Sequence, residues 1–212
     1  MNGKSLIQYP VDAASKSKYV DTIYVSTDSR DISNVVLDMG LLSKLYVIRR
    51  SPENAKDHSN SEDALKEVCD LDPVGFDIMV FMQCTSPLTT AEDIDGALRK
   101  FTELEMTDAY RVYSVMSCCP DEGGWLCGGF SWGYDEYNKF SRINPYSHQR
   151  QNKTMNYREN GAMYICNKKD FLDVLGRTRL PGEVHPYLMS NERSFEIDSE
   201  LDLEIISKYL EK

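Results

Sequence analysis

The sequence predicts an α/β fold built on a mainly parallel sheet. Three observations carry that reading. Short apolar runs of strand length alternate with segments of helical period. The connections are short and carry turn and cap residues. The composition, 41% hydrophobic and 27% charged over 212 residues, suits one globular domain with a real core.

The elements follow in order along the chain. Leu6, Ile7, Val11 and Ala14 recur at helical spacing. Thr22 to Ser26 reads as a buried strand. Asp28 and Ser29 are cap residues for a helix whose face is Ile32, Val35, Val36 and Met39, and Gly40 stops it. Leu45 to Ile48 is a further strand. Ser61-x-Asp63 opens a helix to about Cys69. Asp77 to Met82 reads as a strong central strand, broken by Pro87. Thr90-x-x-Asp93 is a capping box ahead of Ile94, Ala97, Leu98 and Phe101 on one helical face. Ala109 to Met116 is strand-like.

From about Ser117 to Asn156 the rhythm fails, and both Trp residues lie there. A structureless loop of that length is unusual, so a folded excursion is expected, a β-ribbon or an oligomer arm. Regular pattern returns with Gly161 to Cys166, with Asn160-Gly161 open to a hairpin-turn reading, and a helix around Asp170 to Leu175. The end reads as a short strand, Phe195 to Asp198, and a helix opened by Ser199-x-x-Asp202.

Charge narrows the function classes. With Lys+Arg at 24 and Asp+Glu at 34 the net charge is −10. A phosphate backbone or an anionic leaflet calls for a basic face, so nucleic acid and membrane are not expected partners. The best apolar run, Ile78 to Met82, is far below a membrane span. Met1-Asn2-Gly3-Lys4 leads into no apolar signal segment, which points to a cytoplasmic setting and to reduced thiols for the six Cys. Cys118-Cys119 with Cys127 is not a zinc spacing. His58, His148 and His185 sit in no hydrolase or metalloprotease motif. Gly3-Lys4-Ser5 imitates the tail of a phosphate loop but lacks the earlier Gly and strand.

Three segments carry candidate chemistry. Gln83-Cys84-Thr85-Ser86-Pro87-Leu88 lies where the strongest strand ends, the usual ligand side of an open α/β sheet. Alternation puts Gln83 and Thr85 on one side; a plain polar turn is the competing reading. Glu196 and Asp198 alternate across Ile197, so both carboxylates face one way and suit Mg²⁺, or simply favour the helix that follows. Tyr157 to Ile165, with Arg150 upstream, supplies Arg150 and Arg158, cations that bind carboxylate or phosphate bidentately or form surface pairs. Arg49-Arg50 follows a strand, in position for an anion, with an ordinary solvated pair as the equal alternative.

Taken in order, these segments resemble the acylneuraminate cytidylyltransferases, the CMP-sialic acid synthetases. The blocks are Asn2 to Ile7, Asp12 to Ala14, Val25 to Asp28, Gln83 to Leu88, Arg158 to Ile165 and Ile197 to Leu203. The resemblance implies a Rossmann-like nucleotidyltransferase, a three-layer α/β/α sandwich, as one domain over 1–212 with 117–156 as a dimerisation excursion. It implies transfer of CMP from CTP to the anomeric hydroxyl of a sialic-acid-like nine-carbon sugar acid, with release of pyrophosphate. It implies Asp198 and Glu196 as Mg²⁺ ligands, and Asp198, Gln83 and Arg150 as the catalytic set. Gln83, Thr85, Arg150, Arg158, Asn160 and Tyr164 fall on the sugar side, and Arg50 and Ser61 on the nucleotide side. A homodimer is implied.

Departures stand beside the matches. Glu196 replaces an Asp, Cys84 replaces a Pro, and an expected Lys has no counterpart between Tyr113 and Asn138. The family's opening strand and its basic, Gly-containing phosphate loop have no counterpart in residues 1–212. That implies exposed ladder groups and apolar sheet surface, and impaired catalysis. A non-catalytic sugar-binding or assembly protein, and a nucleotidyltransferase for another sugar acid or nucleotide, are the alternatives.

Overall fold

A computed structural model of the chain describes residues 1, 3–121, 132–134, 140–142, 156–173 and 178–210. Helices α1 (Gln8–Lys16), α2 (Arg30–Leu37), α3 (Ser61–Leu71) and α4 (Ala91–Thr107) alternate with strands β1 (Ile23–Thr27), β2 (Leu45–Arg49) and β3 (Ile78–Met82); strands β4 (Tyr113–Asp121), β5 (Trp132–Tyr134), β6 (Phe140–Arg142) and β7 (Asn156–Asn167) come next, and α5 (Lys168–Asp173), β8 (Glu183–Leu188) and α6 (Glu200–Tyr209) follow. No described helix is long and apolar enough to cross a membrane.

Local chemistry explains most boundaries. Ser29 accepts the Ile32 N–H to start α2, and Gly40 at φ 71° ends its turn. Reciprocal capping boxes open α4, between Thr90 and Asp93, and α6, between Ser199 and Asp202. For α3 the cap is Asn60, whose side chain accepts the Asp63 N–H; Ser61 is already helical.

The α/β class holds, and the sheet is mixed and divided. Strands β1 and β2 pair in parallel. A second sheet has the order β3-β7-β4-β8, with β7 antiparallel to both neighbours and β8 parallel to β4. The expected central strand, β3, therefore lies at an edge of its sheet. β5 and β6 form an antiparallel ribbon inside the irregular stretch, and β4 runs on to Asp121 before it. The rest of 117–156, including Arg150 and Cys127, lies outside the described residues.

Helices cover both faces. Val11 of α1, Val36 of α2 and Ile94 and Phe101 of α4 pack with Ile23, Val25, Met163 and Ile165 in one apolar core. Cys69 of α3 and Phe171 of α5 pack with Met79 and Cys166 on the opposite face. Strand alternation sends Met79 one way and its neighbours Ile78 and Val80 the other, so the layers are α/β/α.

Two corrections concern β7 and the last strand. Asn160-Gly161 is not a hairpin turn but a bulge inside β7. Met116 opposes Tyr164 while Cys118 opposes Glu159, so the β7 side carries extra residues across from Ser117. Ser117 Oγ stitches the bulge, donating to the Met163 carbonyl (3.1 Å) and accepting its N–H (2.8 Å). Residues 195–198 form no strand: the Ile197 N–H donates to Thr85 O at 2.8 Å, and the chain then turns into α6. Strand β8 escapes sequence reasoning, because Pro186 interrupts it and Val184 and Leu188 are exposed.

Candidate active site

The end of β3 and the bulge of β7 meet the segment ahead of α6. The Ile197 to Thr85 bond fixes that meeting. Gly161 adopts φ 65°, a left-handed conformation that favours glycine. A Cβ there would lie 1.9 Å from Glu196 Oε1 and 2.6 Å from Gln83 Oε1. The bare backbone of Gly161 thus lets a carboxylate and an amide oxygen converge on one point. Sequence reasoning read this glycine as a turn residue at the start of a strand, and not as the site of a close approach.

Burial, and then the nearby Asp198 carboxylate, push the Glu196 carboxyl up, while Arg158 pulls it down. Two acids within electrostatic reach, one disfavoured as an anion by the other, form a hard-oxygen donor pair. No group of three or more His, Cys, Asp or Glu suited to a metal occurs among the described residues. The pair fits Mg²⁺ in the manner of sites that substrate phosphates complete, and does not form a closed protein cage.

Asp202 accepts the Asp198 N–H at 3.2 Å and the Ser199 N–H at 2.8 Å, which sets the Asp198 backbone at the start of α6. Upstream, Arg193 donates from Nε and Nη2 to Asp93 at 2.9 and 3.1 Å. Asp93 is buried and also caps α4, so the strap 191–198 is bolted to that helix.

Tyr164 stands on β7, its ring stacked on Phe81 at 5.9 Å. Its hydroxyl donates to Glu159. Burial, then Glu159, raise its pKa, so it stays a neutral phenol. The Arg179 guanidinium lies 4.8 Å from the Tyr164 centroid and 5.5 Å from that of Phe81. Arg179 Nε also donates to Glu62 at 2.9 Å. Arg179 and Glu62 carry no motif, and sequence reasoning missed both.

The remaining expected residues divide into groups. Asn160 is buried; its amide donates to Ser194 Oγ at 2.8 Å, and its oxygen accepts the Ala162 N–H at 3.3 Å. It holds the bulge and the strap together from inside. Arg158 is exposed, with Nη2 3.9 Å from Cys119 Sγ and within reach of Glu196. Arg50, Ser61, Gln83 and Thr85 border one cavity of about 920 Å³ between β1 and β3. Arg50 reaches back to Ser26, Nη2 to the carbonyl at 2.8 Å and Nε to Oγ at 3.1 Å. Gln83 belongs to both groups and is the hinge between them. Arg150 lies outside the described residues.

The fold as a whole is that of the α/β nucleotidyltransferases. It matches 4-diphosphocytidyl-2C-methyl-D-erythritol synthase from Anaerococcus prevotii with a TM-score of 0.68 at 11% identity, covering 100% of this chain and 91% of that one. It matches a CMP:2-keto-3-deoxy-manno-octonic acid synthetase solved with CTP with a TM-score of 0.67 at 16% identity, covering 98% and 88%. The family profile described as cytidylyltransferase matches residues 1–122, more than half of the sequence, and the chain belongs to that family. It is 27% identical over 211 residues to an N-acylneuraminate cytidylyltransferase of Streptococcus agalactiae serotype V, covering 95% of this chain and 46% of that protein. It is 31% identical over 200 residues to the N-acylneuraminate cytidylyltransferase of Oncorhynchus mykiss, covering 94% and 43%. The chain spans under half the length of these relatives.

Proposed function

We propose that the chain transfers CMP from CTP to the anomeric hydroxyl of a sialic-acid-like nine-carbon sugar acid and releases pyrophosphate. The convergence of Glu196 and Gln83 over Gly161, with Asp198 alongside, is the observation that carries this reading. The named relatives support the substrate class.

In this reading Gln83 and Thr85 orient the sugar at the end of β3. Tyr164 lends a neutral, rigid edge, fixed by Phe81 and Arg179. Arg158 attracts the anionic face of the acceptor, and Arg150 is proposed for its carboxylate. Asn160 acts through the bulge it holds. Arg50 and Ser61 lie on the nucleotide side of the cavity. Asp198 and Glu196 would hold Mg²⁺, which when bound neutralises phosphate charge during attack on the α-phosphorus. The protein's own contribution is alignment of the sugar hydroxyl with the nucleotide. The setting is cytoplasmic and the assembly a homodimer.

The test is pyrophosphate release from CTP with N-acetylneuraminate and Mg²⁺, with each component omitted in turn. A panel of other nucleoside triphosphates and an eight-carbon sugar acid runs beside it. Release with N-acetylneuraminate and CTP is expected. Release only with another pair assigns a different nucleotidyltransferase. Sugar binding by calorimetry without CTP binding or turnover replaces the enzyme with a sugar-binding protein.

A further inference from the structure

Glu196 and Asp198 stand on a strap whose regular structure is one 3₁₀ turn, Asn191–Ser194. A segment without a ladder is placed by what grips it. Two grips lie inside the candidate site. Ser194 Oγ accepts from the Asn160 amide at 2.8 Å and donates to Ser190 O at 2.8 Å. The Ile197 N–H reaches Thr85 O at 2.8 Å. These tie the strap to β7 and to the end of β3.

A further grip lies outside the site, on α4. Arg193 meets Asp93 through Nε at 2.9 Å and Nη2 at 3.1 Å, a two-point fork. The Asp93 side chain is 3% exposed, that of Arg193 41%. The Asp93 oxygen that takes Nε also accepts the Thr90 N–H at 3.2 Å and the Thr90 hydroxyl at 3.0 Å. Ile94, Ala97 and Phe101 bury the helix behind it, so the anchor is rigid.

Strand β8 closes the pair from another side. A Cβ on Gly96 would lie 2.5 Å from the Tyr187 hydroxyl oxygen, so Tyr187 rests on a bare patch of α4. Burial, then the Asp93 anion, push the Tyr187 hydroxyl up, while Arg193 and Arg99 pull it down. The phenol thus sits within reach of the pair. Helix, strand and strap meet at this buried cluster.

The geometry points to Arg193 as a positioning residue: its fork on Asp93 holds the strap so that Glu196 and Asp198 present their oxygens together to a divalent cation. The inference rests on the Mg²⁺ role proposed above for those two carboxylates. Arg193 and Glu196 are three residues apart, at most about 11 Å of extended chain, so slack at one is felt at the other. A fork fixes orientation as well as distance, which a single point charge does not.

Charge separates this role from a simpler one. Acting only as a nearby cation, Arg193 repels a metal ion, and its removal tightens metal binding. Acting as a positioning residue, its removal loosens metal binding. Asp93→Asn keeps an acceptor for the α4 cap and removes only the anion, and it loosens binding too.

The experiment titrates the whole chain with Mn²⁺ alone, which suits the same oxygen donors as Mg²⁺, and follows it by electron paramagnetic resonance. Arg193→Gln and Asp93→Asn are each expected to raise the Mn²⁺ Kd about tenfold, as loss of an outer support does. The double variant is expected to match either single one, since both break one contact. Amide exchange at Ile197 is expected to quicken in Arg193→Gln by at least about tenfold more than at Ile165 in the core, the mark of a local opening. Tighter or unchanged Mn²⁺ binding in Arg193→Gln overturns the proposal, as does a double variant in which the two losses add. If the parent chain takes up no Mn²⁺, the metal role of Glu196 and Asp198 falls, and exchange at Ile197 that keeps pace with Ile165 then overturns the positioning role as well.

Discussion

The Glu196 carboxylate occupies the space that a side chain on Gly161 would need, with Oε1 1.9 Å from the position of its Cβ. A residue of β7 thus admits one from the strap ahead of α6 only by having no side chain. Gly161→Ala has two costs. The left-handed backbone disfavours Ala by about 1–2 kcal/mol. The methyl group also expels Glu196 and Gln83 from their shared position. Urea denaturation is expected to show a midpoint lowered accordingly, and turnover with CTP is expected to fall further than stability does. An unchanged midpoint refutes the close approach.

Glu196 and Asp198 repel each other, and burial adds to the cost of the Glu196 anion. A carboxyl whose folded pKa is raised favours folding below its unfolded value and loses that advantage as pH rises through the folded one. Glu196→Gln is therefore expected to raise the melting temperature at pH 7, with the gain fading in acid below the ordinary glutamate range. Mg²⁺ is expected to raise the melting temperature of the parent chain at pH 7 and to do so less in Glu196→Gln. Asp198→Ala is expected to abolish Mg²⁺-dependent turnover, and retained turnover removes Asp198 from the metal role.

Asp72 ties the far side of the sheet together. Its side chain is 3% exposed and takes Lys168 Nζ at 2.9 Å, the Tyr24 hydroxyl and the Gly75 N–H at 2.9 Å. Burial alone would raise its pKa; the Tyr24, Lys168, Gly75 and Val74 donors outweigh burial and hold it well below the usual range. The resulting stability is present above the ordinary aspartate value and is lost as pH falls through the folded one. Asp72→Asn is expected to cost about 2 kcal/mol at pH 7, the loss of charged hydrogen bonds. The difference from the parent is expected to narrow below about pH 4. A gap constant down to pH 2 contradicts the network.

Thiol reactivity is expected to be confined. Cys69, Cys84, Cys118, Cys119 and Cys166 are free, and only Cys84 among them is exposed. Burial pushes the thiols of Cys69 and Cys166 up to about 11 and about 12, so neither offers thiolate at neutral pH. Iodoacetamide at pH 7.5 followed by peptide mass spectrometry is expected to label Cys84 first of these five. Prior labelling of Cys166 shows that the β7 face opens.

Legibility in the sequence followed range. The capping boxes Thr90/Asp93 and Ser199/Asp202 were readable because each closes within one helical turn. The strands β1, β2 and β3 were readable because their apolar runs are continuous. The nearness of Glu196 and Asp198 was readable from their spacing, although the strand expected there is not formed. The bulge at Gly161 was not, because it arises from a register shift against β4, whose Ser117 is far away in sequence. Arg179 was not, because nothing local distinguishes an arginine stacked on Tyr164 from one in solvent. The second duty of Asp93, holding Arg193, was likewise hidden behind its first as a cap.

The divided sheet has a consequence for cooperativity. A continuous ladder makes a sheet open as a unit, since breaking one rung exposes the next. No ladder crosses from β1–β2 to β3–β7–β4–β8 among the described residues. The two are joined by apolar packing under α1 and α4 and by side-chain ties such as Tyr24 to Asp72. The unit β1–α2–β2 is thus expected to melt apart from the rest, and calorimetry should find an unfolding enthalpy larger than the van't Hoff value, the mark of a molecule that comes apart in more than one step.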